Sequence, residues 1–263
     1  MSYTLGRGKL FFLPFAPNTK TPAGGEMYFG NTPEFNLNVE SETLDHFSAE
    51  EGVRVKDDSV TLQTNRTGSF ITDNIDMPNL KTFFNATLVT VTQSAVAVTD
   101  QVLAAVGTAK KGHYYQIGAT SGNPAGVRGV GSVTVKKGAT LVGATTATLN
   151  DDYTLDATLG RIYIPATSTI NESTDGLWIT YTPVAQSRQQ LQVTSGATIS
   201  GSLRFIAANA KGDNIDYFFP YVTLSPNGDF ALKGDEWQQL PFNVEVLKLN
   251  DTTASMYIDG RPA

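Results

Sequence analysis

The chain contains no cysteine, two histidines and little charge. Without cysteine there are no disulfide staples, no thiolate catalysis and no cysteine-ligated zinc. His46 and His113 stand far apart, so one copy cannot build a histidine-rich metal site, and no motif marks a serine beside either one as a hydrolytic triad requires. Lys and Arg number 19 against 25 Asp and Glu, a formal net charge of −6, which is the opposite of the basic footprint that grips phosphate. No apolar run approaches the ~18 residues needed to cross a bilayer as a helix, and no membrane partner is expected.

What is present points to a folded, mainly β protein. A chain of 263 residues predicts between one and two domains with a sizeable core. Charged residues make up 17%, below the usual ~25%, and threonine is abundant, a balance that suits pleated, half-exposed surfaces. The run from Leu10 to Ala16 (LFFLPFA) follows Arg7 and Lys9 as in a secretory leader. Pro14 interrupts it and no small-x-small cleavage site follows, so it reads as an N-terminal strand. Period-two alternation marks strands at Phe35, Leu37 and Val39, at Val60 and Leu62, and again at Leu203 to Ala207, Tyr217 to Leu224 and Phe242 to Val246. Residues 40–59, rich in charge, read as a long loop, and Asn227-Gly228 predicts a tight hairpin turn. Asp76 as cap, Pro78 in the first turn, and Leu80, Phe83 and Phe84 at i, i+3 and i+4 predict a helix over 78–85 packed on a sheet. Residues 94–185, with recurrent glycine turns and short strands, form an inserted all-β module. The flanks 1–93 and 186–263 form one discontinuous β-sandwich or partial barrel with that one short helix.

Motifs with chemistry are scarce. The acidic doublets Glu50-Glu51, Asp57-Asp58, Asp151-Asp152 and Asp235-Glu236 place neighbours on opposite faces of a strand, poor geometry for a glycosidase pair. Residues 150–156 (NDDYTLD) lack the ligand order of a calcium loop and read as an Asx-capped turn. Gly126, Gly129 and Gly131 miss the dinucleotide spacing, and there is no phosphate-cradling loop. No catalytic residue, metal or cofactor is expected, and an enzyme on a β scaffold is disfavoured. A carbohydrate-binding or adhesive sandwich is the competing class. It needs exposed aromatic side chains, whereas Trp178 and Trp237 both sit in strand-like patterns that suggest core.

The stretch RFIAANAKGDNIDYFFPYVTLSPNGDFALKGDEWQQLPFNVEVLKL, with SFITDNIDMPNLKTFF and NPAGVRGVGSVTV, resembles the major tail tube proteins of long, non-contractile-tailed (siphovirus-type) bacteriophages, from about Leu5 to Ile258. The resemblance implies rings, six copies each, stacked into the virion tube through which DNA leaves, assembled in the bacterial cytoplasm. It implies partners beyond self: a tape measure protein, terminator and tip proteins, and DNA that passes without specific binding. Six copies of an acidic subunit would keep DNA off the wall over about a Debye length, ~8 Å. An inter-ring stacking loop would comprise Leu44, Asp45, His46, Phe47, Glu50 and Glu51, then Arg54, Lys56, Asp57 and Asp58. Leu80, Phe83 and Phe84 would seat the helix on the sheet. Terminal arms bearing Phe11, Phe12 and Phe15, and Tyr257 and Ile258, would reach neighbouring subunits. The 94–185 module would sit on the outer wall, since inside it would block the bore.

Overall fold

In a computed structural model, residues 3–50, 52–194 and 198–261 are described. In chain order the first elements are β1 (Gly8–Pro14), β2 (Met27–Tyr28), β3 (Glu34–Ser48), β4 (Val55–Thr72), α1 (Met77–Phe83) and β5 (Thr87–Gln93). Next come β6 (Val98–Ala104), β7 (Tyr114–Gln116), β8 (Val130–Gly138), β9 (Thr145–Thr146), β10 (Thr154–Asp156), β11 (Arg161–Tyr163) and β12 (Gly176–Pro183). The chain closes with β13 (Gln186–Gln192), β14 (Ile199–Ala207), β15 (Ile215–Pro226), β16 (Leu240–Val246) and β17 (Tyr257–Gly260). The protein is mainly β with one short helix among the described residues. It divides into two compact units, one of residues 1–89 with 191–263 and one of residues 90–190.

The first unit is built on one antiparallel sheet in the order β2-β1-β14-β15-β16-β4-β3, with β17 also paired to β15. Alternation sends one face inward: Leu10 and Phe12 of β1, Leu203 of β14, Phe219, Val222 and Leu224 of β15, and Phe242 and Val244 of β16 are all buried. A cluster of phenylalanines fills the middle. Phe29 and Phe70 have ring centroids 4.7 Å apart, Phe70 and Phe242 stack at 4.8 Å, and Phe83 of α1 meets Phe242 edge-on at 5.5 Å. The sheet also curls on itself. β3 lies four places from β14, about 19 Å if the sheet were flat, yet Phe35 of β3 and Phe205 of β14 have centroids 6.0 Å apart. A sheet curled this far is a partial barrel.

The helix starts one residue and ends two residues earlier than the sequence suggests. The Asp76 carboxylate accepts from the Asn79 backbone N–H at 2.8 Å, Pro78 occupies the first turn, and the Phe84 N–H closes on the Leu80 carbonyl. Seven residues would not hold as a helix in water. Packing of Phe83 and Leu80 holds this one, together with the fully buried Asn79 amide, whose Nδ2 donates to the Phe29 and Asn74 carbonyls at 2.9 and 2.8 Å.

Three expectations are corrected here. Residues 40–59 are not a long loop: β3 runs to Ser48 and β4 begins at Val55, so the segment is mostly strand. Asn227-Gly228 does not close a two-residue turn. The Asn227 N–H does donate to the Pro241 carbonyl at 2.9 Å, but residues 227–239 loop out between β15 and β16. Trp237 is not a core residue: it lies in that loop and is 93% exposed, whereas Trp178 on β12 is buried.

The second unit has its own core around Ile117, Ile162, Ile164, Leu177 and Ile179, between the sheet β6-β12-β8-β9 and the smaller sheet β10-β11-β7. The 150–156 turn turns out to hold its most buried charge. Asp152 accepts from Lys137 Nζ at 2.7 Å, from the Thr148 and Thr169 backbone N–H groups at 2.9 and 3.0 Å, and from the Thr169 hydroxyl at 2.6 Å. Burial pushes the carboxyl pKa up, but those hydrogen bonds, led by Lys137 and Thr169, outweigh it and hold the group well below the ordinary aspartate range.

Candidate assembly surface

The feature that stands apart from any core is the β3–β4 ribbon. β4 pairs with β16 only as far as Thr67, opposite Glu245. From Val55 to Arg66 its one partner is β3, so a two-stranded ribbon projects about 40 Å past the sheet at ~3.3 Å per residue. Nearly every residue in that stretch is exposed, on both faces. Leu44 and Val60 face one another across the strands, at 62% and 56% exposure, and Val53 and Val55 at the tip are exposed as well. Two register shifts, with Leu62 and Asp57 as the extra residues, add twist along its length. The outer edge of β3 has no strand beside it among the described residues.

Local bonds stiffen the ribbon. Lys56 Nζ lies 2.6 Å from Asp45 Oδ1, which also accepts from the Ser59 hydroxyl at 2.7 Å. The hydrogen bond from Lys56 comes first, then that from Ser59, in holding the Asp45 carboxyl below its usual pKa. His46 Nδ1 meets Asp57 Oδ1 at 2.6 Å, the Asp58 carboxylate accepts from the Ser59 backbone N–H, and Arg54 lies over the Phe47 ring at 5.5 Å. The ribbon thus gathers Leu44, Asp45, His46, Phe47, Arg54, Lys56, Asp57 and Asp58 on one projecting element, with Glu50 in its connection. Glu51 lies outside the described residues.

The residues expected to form terminal arms are tied into the chain's own sheet instead. β1 is an interior strand between β2 and β14, and Phe12 is 1% exposed, because its ring is needed in the aromatic core. Phe11 lies on the opposite face with its ring 5.2 Å from that of Tyr28, and Phe15 stacks on Tyr221 at 5.9 Å. Tyr257 and Ile258 pair with Phe218 and Tyr217 of β15. A fork from Arg261 to Asp216, at 2.7 and 2.9 Å, fastens that strand, and hydrogen bonding from Arg261 lowers the Asp216 pKa. Leu80 and Phe83 pack on the sheet core, and Phe84 reaches out to the Phe230 ring at 5.8 Å.

A second surface emerges from the register. The face of β3, β4 and β16 turned away from the core aligns Asn36 with Ser69 and Asn243, and Asn38 with Thr67 and Glu245. Glu34, Glu40 and Glu42 continue the same row on β3, opposite Ile71, Asn65 and Gln63. None of these residues is Lys or Arg. A shallow cleft of 680 Å³ runs over this face, lined in part by Thr223 and Ser225 of β15.

A family model matches residues 3–257. The chain belongs to the family described as protein of unknown function UCP028589. No curated protein matches it. For this UCP028589 member the geometry offers a projecting ribbon, an open strand edge and an acidic polar face. Among the described residues no group of three or more His, Cys, Asp or Glu is placed to hold a metal ion. The sequence pattern marked Val60 and Leu62 as strand but missed residues 40–59, where both faces of the ribbon are wet and apolar and polar residues do not alternate. It missed Trp237 because DEWQQLPF reads as the start of a strand.

Proposed function

We propose that this protein is a structural subunit that polymerises into stacked rings, six copies each, forming the tail tube of a long-tailed bacteriophage. The observation that carries the reading is the ribbon. A two-stranded hairpin exposed on both faces is marginal in water, and apolar side chains such as Leu44, Val55 and Val60 on an unpaired strand edge invite association. A partner that covers the ribbon removes both problems, and closing strands from several copies into one barrel removes the open edge.

The acidic face suits the bore. Glu34, Glu40, Glu42 and Glu245, on strands that present no cation to that face, would repel phosphate at short range and let DNA slide. The Ser, Thr and Asn side chains beside them keep that wall wetted. On this reading the tape measure protein fills the bore during assembly, terminator and tip proteins close the ends, and the unit at 90–190 lies outside the channel. Negative-stain imaging and sizing of the purified protein test the reading: rings or tubes support it, and a protein that stays monomeric at all concentrations and salts sinks it.

One observation favours the adhesive class for the inserted unit. Tyr114 and Tyr163 are cross-strand neighbours with ring centroids 4.7 Å apart, and Tyr114 is 60% exposed although Arg161 lies over its ring at 4.7 Å, an aromatic pair that could meet a sugar. Glycan binding lost in Tyr114→Ala, with tube formation unchanged, would assign that activity to this unit.

A further inference from the structure

The stacked-tube reading requires that the projecting ribbon find a seat on the next copy, and we propose that the 227–239 loop provides it. The two features lie at opposite ends of one strand. The ribbon tip immediately precedes Val55, the first residue of β4, while Trp237 shares a small cleft with Asp73 and Ile75, just past its last residue, Thr72. Eighteen residues of strand separate them. A contact between these two different patches is head-to-tail, and such contacts propagate into open filaments without closing on themselves.

The loop is built to hold its shape. Phe230 anchors it against Phe83 and Phe84 of the helix, at 6.1 and 5.8 Å, and Gln238 Nε2 donates to the Ala231 carbonyl at 2.8 Å. From this fixed base Trp237 and Leu232 point into solvent at 93% and 82% exposure, while Val53 and Val55 at the ribbon tip are exposed at 77% and 63%. An exposed indole on a loop whose base is fixed is a typical anchor for an interface, since the loop itself needs little ordering on binding.

One cation at the tip is placed to meet acids on the loop. The Arg54 guanidinium makes no ion pair or hydrogen bond among the described residues and only covers the Phe47 ring. The loop carries Asp229, Asp235 and Glu236 against the single cation Lys233, and none of these acids is in an ion pair among the described residues. Of the ribbon's own acids, Asp45 is held by Lys56 and Asp57 by His46. Glu50 and Asp58 have no cation partner among the described residues, so the contact rests on Arg54 and on the exposed apolar side chains.

The lack of native cysteine makes the test direct. In assembled tubes, Arg54→Cys combined with Glu236→Cys should give a ladder of oxidised multimers, and Arg54→Cys combined with Val142→Cys should not. Trp237→Ala with Leu232→Ala should keep the wild-type circular dichroism and raise the concentration needed for tube formation about tenfold or more. Arg54→Glu and Glu236→Arg should each impair assembly and together restore it. Arg54→Cys/Glu236→Cys tubes that give no ladder on oxidation, with Trp237→Ala/Leu232→Ala assembling at the wild-type concentration, would overturn the seat and leave the tube reading intact. A wild-type protein that never assembles overturns both.

Discussion

Asp152 shows how one side chain can carry a fold and still read as unremarkable in sequence. In NDDYTLD its neighbours suggest only a turn, yet it accepts hydrogen bonds from Lys137 and from the 168–169 segment, which tie β8 and two loops together. Removing one partner of a pair this buried leaves the other charge uncompensated, which costs about 3 kcal/mol. Asp152→Asn should therefore destabilise the inserted unit by that order, read by urea unfolding of Trp178 fluorescence in a Trp237→Phe background. The sign with pH is fixed by the direction of the shift. A carboxyl whose folded pKa is depressed contributes fully above the ordinary aspartate value, ~3.9, and its contribution drains away as pH falls below it. The gap between wild type and Asp152→Asn should be widest at neutral pH and narrow between about pH 4 and 2; a constant gap would show that Asp152 does not act through its charge. Asn79 is the neutral counterpart in the first unit. Asn79→Ala removes the side-chain donor to the Asn74 carbonyl and one of two side-chain donors to the Phe29 carbonyl, which keeps the Thr72 hydroxyl, and should cost about 1–3 kcal/mol in thermal or denaturant unfolding.

At the scale of elements, the strands with one dry face were legible because alternation records burial: Leu203 and Ala207, Val222 and Leu224, and Phe242 and Val244 each mark a strand in sequence and a core face in the structure. The helix was legible because capping is local, and Asp76 and Pro78 are enough to place its start. The outer half of the ribbon was not legible, for a physical reason. Strand periodicity is the imprint of a core on one face, and Glu40 to Ser48 has no core on either. Its strand character comes from cross-strand hydrogen bonding and from pairs such as Lys56 with Asp45, which depend on a register that only the folded hairpin sets. The curl that brings Phe35 to Phe205 was equally hidden, since it joins strands far apart in the chain. The ribbon's independence from the core leads to a clean prediction. Deleting residues 45–57 removes no residue of either buried cluster, so the variant should unfold within about 1 kcal/mol of wild type while losing all polymerisation in sedimentation and negative stain. Normal tubes from the deletion would place stacking elsewhere.

At the scale of the whole molecule, the net charge of −6 acquires an address. The acids of β3 and β16 share one face with no cation among them, while several other acids are paired locally, Asp152 with Lys137, Asp216 with Arg261 and Asp45 with Lys56. An unpaired acidic surface costs self-repulsion, so a use for that field is the natural place to look, and a conduit wall for DNA is such a use. The consequence can be measured without a virion. In Glu34→Lys/Glu245→Lys, each subunit gains two reversals of two charge units on that face, at exposed positions on the sheet itself and outside the ribbon. Tubes of this variant should form as in wild type but retain short duplex DNA at physiological ionic strength, in a form protected from nuclease. Release should follow the steep salt dependence of phosphate contacts. Wild-type tubes should retain none. Retention with full nuclease sensitivity would put the acidic face on the outside of the tube, and the bore would then have to be lined by another surface of the sheet.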